Sequence, residues 1–219
     1  MDADSSRQAR LDVWTCRLTR WLGAFLHSVS RHWLALVNLI MGLQAALPFL
    51  APVLMHAGRE RGARLIYLFY RPQCHQLPER SFFILGDQWT YSLAELQART
   101  GLDPVPLRFL GQPGLGWKTA ICERDVAIYV AMFLGGLLYA LLRDRLRPLP
   151  FKAFLVLIAP MALDGGGQLL HLWSSTWLTR VLTGSLFGFA CIWLVYPHLN
   201  RGMAEVQRST HPTALEVVS

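Results

Sequence analysis

An all-α, polytopic membrane protein is the fold class this sequence predicts, and three observations predict it. Of 219 residues, 53% are hydrophobic and only 16% charged, against about 25% charged in ordinary soluble domains. The deficit is local, because several spans of about 17 to 23 residues contain no charge, the length that crosses a hydrocarbon core of roughly 30 Å. The Arg residues cluster beside those spans and form no recognition module. The net charge of +7 therefore reads as positive-inside topology and attraction to anionic headgroups, with no nucleic-acid partner expected. The expected architecture is about four transmembrane helices in one bundle plus an N-terminal amphipathic interfacial helix, with the lipid bilayer as its first partner.

Residues 1–9 are polar and expected to be disordered. From Leu11 onward Trp14, Leu18, Trp21, Leu22, Phe25, Leu26 and Val29 recur at helical spacing, with Arg10, Arg17, Arg20 and Arg31 mostly on other faces. A basic amphipathic helix with Trp on its apolar side suits a membrane surface, so residues 1–32 form the first unit. No cleavable signal is expected, because the arginines leave no uninterrupted apolar core there.

The bundle is expected over residues 33–199. Its first span runs from Trp33 to Met55, with Asn38 and Gln44 placed to hydrogen-bond across helices. Pro48 and Pro52 lack N–H groups, so they should kink the span and leave carbonyls that neighbours must satisfy. A long connection, 57–124, follows. Within it Pro72 and Pro78 bracket a non-helical turn holding Cys74, His75 and Gln76. The segments 65–70 and 82–85 are too short to span a membrane and suit the interface or a re-entrant element. Ser92 and Glu95 have capping-box spacing for a short helix ended by Gly101. The second span is Val126 to Leu142, where Gly135-Gly136 permits close packing. The third, about 151–173, contains Asp164-Gly165-Gly166-Gly167-Gln168, where three glycines predict a break or bend. The fourth, Val181 to Leu199, has Gly184 and Gly188 at small-xxx-small spacing. Short loops predict that spans two, three and four are antiparallel neighbours. Residues 200–219 form a polar tail.

Basic residues set the expected topology. Segments on the N-terminal side carry five (1–32), four (143–152) and two (the tail). The opposite side carries nine in a connection too long for the rule to weigh, and one in the short turn. Both termini are thus expected in the cytoplasm of a multi-pass cell-membrane protein, with the long connection outside.

Three constellations could carry chemistry. Cys74, His75 and Cys122 are candidate ligands for a transition metal such as zinc, copper or iron. On an outward face Cys74 and Cys122 could instead form a disulfide, or remain unpaired thiols in a packed loop. The absence of any CxxC among Cys16, Cys74, Cys122 and Cys191 argues against a thioredoxin-type site or zinc ribbon. Asp164 is the carboxylate inside an apolar span, with Gln168 at i+4 and His171 beyond. Such a residue needs a partner, and Arg80, Arg124 and Arg180 are the candidates; a structural ion pair is the plainer alternative to proton handling. Glu79-Arg80 and Glu123-Arg124-Asp125 end apolar segments. There they suit headgroups, unless Arg80 or Arg124 clamps an acidic substrate or neutralises Asp164.

Cys74-His75-Gln76, Pro78-x-Arg80-Ser81-Phe82, Gly86, Cys122-x-Arg124, Ile128-Tyr129, Asp164-Gly165 with Gln168, and Arg180 followed by Thr183-Gly184 form an ordered series over roughly 67–197. On these residues the chain resembles an uncharacterised family of small prokaryotic predicted membrane proteins, a domain of unknown function. Many members of that family carry a further Cys after Cys-x-Arg, followed by Thr-Gly; Asp125, Val126 and Ala127 stand there in this chain. The resemblance implies a helical integral membrane protein and no known reaction. The function expected is therefore a structural or accessory membrane component, alone, as a homo-oligomer or with a membrane-protein partner. It would carry a polar site built from Cys74, His75, Gln76, Arg80, Cys122, Arg124, Asp164, Gln168 and Arg180. A metal- or thiol-dependent redox enzyme and a proton-coupled carrier using Asp164 are the alternatives.

Overall fold

The computed structural model describes residues 2–143 and 145–210, the side chains of 2–12 excepted. The far end of the polar tail, and Arg7, Arg10 and Leu11 on the amphipathic stripe, lie outside the described side chains. Helix α1 (Asp2–His56) is continuous for 55 residues, roughly 80 Å at 1.5 Å per residue. Residues 2–9 are thus helical, and no break separates 1–32 from the span that follows. The expected stripe is real: Trp14, Leu18, Trp21, Leu22, Phe25 and Leu26 are all exposed.

The helix also runs through Pro48 and Pro52. Each proline frees the carbonyl four residues before it, and the long connection supplies both partners. Tyr70 donates its hydroxyl to Gln44 O at 3.0 Å, and Ala120 N–H donates to Pro48 O at 3.2 Å. Helix α2 (Glu60–Tyr70) folds back on α1 through Ala63, Tyr67 and Tyr70. Its outer face leaves Leu65, Leu68 and Phe69 exposed.

The rest of the connection departs from the purely helical expectation. A 3-10 turn (Pro78–Arg80) leads to β1 (Phe83–Ile84), then α3 (Leu93–Thr100), β2 (Gly111–Gln112) and β3 (Gly116–Lys118). The strands form an antiparallel sheet in the order β1-β3-β2, with Phe83 opposite Lys118 and Gln112 opposite Gly116. Strands of two or three residues are too short for alternation to register in a sequence. The capping box of α3 is present: Ser92 Oγ accepts from Glu95 N–H, and Glu95 returns a carboxylate oxygen to Ser92 N–H. Phe83, Tyr91, Leu96, Val105 and Leu115 fill the small core beneath.

Helices α4 (Glu123–Leu142), α5 (Phe151–Leu169) and α6 (Trp177–Ser209) complete the described elements. Among the described residues three helices, within α1, α4 and α6, are long and apolar enough to cross a membrane. Helix α5 falls short of that apolarity because Lys152, Asp164, three glycines and Gln168 dilute its 19 residues. Of the break or bend expected at Gly165–Gly167, the break does not occur, since the helix continues through all three. These glycines make room for side chains: a Cβ on Gly165 would meet Arg124 Nη1 at 3.0 Å, and one on Gly167 would overlap the Trp173 ring.

Helix α6 is the hub, touching α1, α4 and α5. Spans two and three are therefore not the close neighbours expected; α5 packs on α6, without an extensive contact to α4. The small residues explain this. A Cβ on Gly184 would meet Arg124 O at 2.8 Å, and one on Gly188 would meet Ile128 O at 2.6 Å, so the backbones of α4 and α6 are in direct contact. Deeper in the bundle Tyr196 donates to Asn38 Oδ1 at 3.2 Å, joining α6 to α1.

Gly184→Ala and Gly188→Ala are expected to lower the thermal midpoint in detergent, by about 1–3 kcal/mol of stability, since backbone must move. Gly166 and Gly202 are helical with open space around the Cβ position. Alanine at either should raise stability by roughly 0.5–1 kcal/mol. The same response at all four positions would refute the direct α4–α6 contact.

Candidate functional site

The N-terminus of α4, the C-terminal part of α5 and the N-terminus of α6 meet at one end of the bundle, and their charged residues face one another. Arg124 Nη2 donates to Asp164 Oδ2 at 2.5 Å, and Ser175 Oγ donates to Asp164 Oδ1 at 2.6 Å. Both oxygens of the carboxylate are therefore held, and both charged side chains are largely buried. Of the three candidate partners for Asp164, the structure selects Arg124. Asp164 lies five residues before the end of α5, about 7.5 Å of helix rise. It thus sits near the bundle end, not at the middle of a span.

A second pair adjoins the first. Arg180, in the first turn of α6, donates from Nη1 to Glu123 Oε2 at 2.8 Å and from Nη2 to Ser175 O at 2.6 Å. Glu123 is only 1% exposed, so it is a buried ion-pair partner and not a headgroup charge. Ser175 links the pairs, its hydroxyl serving Asp164 and its carbonyl serving Arg180. The Arg80 guanidinium also attracts the Glu123 carboxylate at longer range. Gln168 is half-buried one turn beyond Asp164, and its side chain has no hydrogen-bond partner among the described residues. His171, at φ +56°, is exposed.

Arg80 connects this array to the second feature, a half-open cavity of about 230 Å³. It is lined by Gln73, Cys74, His75, Gln76, Leu77, Arg80, Cys122 and Asp125. Cys74 and Cys122 are free thiols. Cys74 Sγ accepts from Cys122 N–H at 3.2 Å, and Cys122 Sγ donates to Asp125 Oδ2 at 3.1 Å. The ligand atoms of Cys74, Cys122 and Asp125 all lie within 4.8 Å of one another. The expected donor set is thereby altered. Cys74 is buried and His75 is exposed, since neighbours on an extended turn point apart. His75 borders the cavity, while Asp125, at the position where many members of the resembled family carry a further Cys, stands in the donor cluster.

The two thiols differ in acidity. Hydrogen bonding from Cys122 lowers the Cys74 pKa, against the opposing effect of burial. The Cys122 pKa is raised, first by its hydrogen bond to Cys74, then by burial and the Asp125 charge. The first thiolate of the pair therefore belongs on Cys74.

Gln76 holds this cavity in shape and does not face into chemistry. Its Nε2 donates to Tyr67 O and Ala120 O, both at 2.8 Å. Its own carbonyl accepts from Lys118 Nζ at 2.6 Å, and Lys118 Nζ also reaches Leu107 O at 2.9 Å. Lys118 is fully buried; burial pushes its pKa down to about 8, while the charge of Cys74 works against that fall. Sequence reasoning missed Lys118, Ser175 and the roles of Glu123 and Asp125. A lysine between Trp117 and Thr119 was a visible signal, but nothing local shows that it closes on Gln76, 42 residues away.

Two outcomes are expected. Removing one member of a buried pair leaves an uncompensated charge, at a cost on the order of 3–5 kcal/mol. Asp164→Ala should therefore destabilise the protein more than Asp164→Leu combined with Arg124→Leu does; equal losses in thermal midpoint would refute the pair. Iodoacetamide mapping by mass spectrometry at neutral pH should modify Cys74 before Cys122, and the reverse order would refute the assigned thiolate.

Comparison with known proteins places the site in context. Residues 114–194 match the model of a family described as "Predicted membrane protein (DUF2085)". The match includes Cys122, Arg124, Asp164, Gln168 and Arg180 and stops short of the 74–80 turn. An uncharacterized protein of Methanocaldococcus jannaschii, MJ1492, is 28% identical over 157 residues, 68% of this chain and 81% of that protein. No solved structure matches the chain. The resemblance expected from the sequence, to an uncharacterised family of predicted membrane proteins, is borne out over the segment that carries α4, α5 and most of α6.

Proposed function

We propose that this chain is an accessory component of the cell membrane whose site at the face of the long connection binds one divalent transition metal ion, zinc foremost. The single observation behind this reading is the grouping of Cys74, Cys122 and Asp125 donors within 4.8 Å beside a half-open cavity. Two thiolates and a carboxylate form a donor set zinc accepts, and the cavity leaves the open fourth position of a reactive site. Thiolates are required for binding, and the Arg80 cation that lines the cavity and the Lys118 cation that interacts with Cys74 favour them. Gln76 and the Arg180–Glu123 pair position the two cysteine-bearing segments. The same two thiols could also exchange with a disulfide, which makes thiol redox chemistry the second reading. A carrier role for Asp164 has less support, since Arg124 and Ser175 occupy both of its oxygens.

The topology proposed places both termini in the cytoplasm. Near its C-terminus α6 meets α1 again, with Gln207 Nε2 donating to Ser30 O at 2.7 Å. The two terminal segments thus share one end of the bundle, and the thiol cavity lies at the other, toward the outside.

Metal analysis by mass spectrometry on detergent-purified protein, with thiol counting, tests the reading. Stoichiometric metal is expected, lost in Cys74→Ser and Cys122→Ser, reduced in Asp125→Ala and retained in His75→Ala. Two missing thiols without metal would favour the redox reading. Four free thiols without metal, after zinc supplementation, would overturn the metal reading, and thiols that stay free after treatment with oxidised glutathione would overturn the redox reading.

A further inference from the structure

The surface groove between α4 and α6, at the opposite end from the thiol cavity, carries a further site. It is lined by Gly135, Leu138, Tyr139, Leu146, Phe189, Ile192 and Trp193, has a volume of about 210 Å³, and presents only apolar surface. Leu138, Phe189 and Trp193 are 39–49% exposed, so the groove opens sideways from the bundle, where hydrocarbon would surround it. Water in such a groove would find no hydrogen-bond partner. An acyl chain fits the lining without any polar cost.

The groove ends under the basic loop between α4 and α5. Leu146, in that loop, closes its end. Trp193 Nε1 donates to Arg147 O at 3.0 Å, which pins the loop over the groove. Arg145 and Arg147 are exposed immediately beside it. An apolar groove running to a loop with two exposed arginines, just past the end of a helix long and apolar enough to cross a membrane, matches one ligand chemistry: an acyl tail attached to a phosphate. Arginine binds phosphate through its planar fork, and basic residues near the membrane surface each contribute about 1 kcal/mol toward anionic lipid. We infer that this groove binds one anionic phospholipid, its acyl chain against Gly135, Phe189 and Ile192 and its phosphate against Arg145 and Arg147. The inference does not depend on metal at the thiol cavity.

Native mass spectrometry of the detergent-purified full chain, titrated with phosphatidylglycerol or phosphatidylcholine, tests it. One phosphatidylglycerol should be retained preferentially. Each arginine is worth about fivefold, so Arg145→Gln with Arg147→Gln should reduce that preference roughly 25-fold while leaving phosphatidylcholine binding unchanged. Leu138→Trp, which fills the groove, should weaken both lipids together. Both side chains altered in the double variant are solvent-exposed, and an unchanged helical circular-dichroism spectrum would establish that it folds. An undiminished phosphatidylglycerol preference in the double variant overturns the headgroup assignment. A stable dimer that Leu138→Trp dissociates would instead assign the groove to a second copy and overturn the lipid site.

Discussion

Buried charge beside an apolar bundle is tolerated only when it is paired, and that constraint organises this molecule. Desolvating a carboxylate or guanidinium costs several kcal/mol, which only a close, well-hydrogen-bonded partner offsets. Glu123 sits favourably at the positive end of the α4 dipole. Arg180 and Asp164 do not: one cation stands at a helix N-terminus, and one carboxylate near a helix C-terminus. Each is held instead by a partner on another helix, Arg180 by Glu123 and Asp164 by Arg124. Satisfying both pairs brings the ends of α4, α5 and α6 together, with Ser175 as the shared link.

The approach of the backbones makes that convergence possible. Gly184 and Gly188 let α6 lie against the first turns of α4, so that Glu123 and Arg180 come within ion-pair distance. Gly165 makes the matching space for Arg124 on α5. The same residues that weaken helix propensity therefore set the geometry of the charged cluster. The energetic disadvantage of glycine within a helix, roughly 0.5–1 kcal/mol each, is smaller than the loss from an unpaired buried charge.

A second set of backbone partners fixes the thiol cavity. The carbonyls freed by Pro48 and Pro52 accept from Tyr70 and Ala120, which dock both ends of the long connection on α1. Gln76 then bridges Tyr67 O to Ala120 O, and Lys118 closes on Gln76 O. Residues 74 and 122 are brought together from opposite ends of this connection as a result. The prolines of the first span thus do more than bend a helix: they provide acceptors that hold Cys74 against Cys122.

Much of this was legible in the sequence because its physical cause is local. Uncharged stretches of membrane-spanning length, small residues one turn apart, the Ser92–Glu95 cap and the need of Asp164 for a basic partner can all be read without a fold. The chain also carried the resemblance to a family of predicted membrane proteins. Tertiary structure decided what depends on distance across the chain. Arg80, Arg124 and Arg180 were equivalent candidates until the packing of α4 on α6 brought Arg124 to Asp164 and gave Arg180 to Glu123. Asp125, not His75, joined the two thiols because the turn buries position 74 and exposes position 75. Local chemistry determines which groups require partners; only the packed chain determines which partners are within reach.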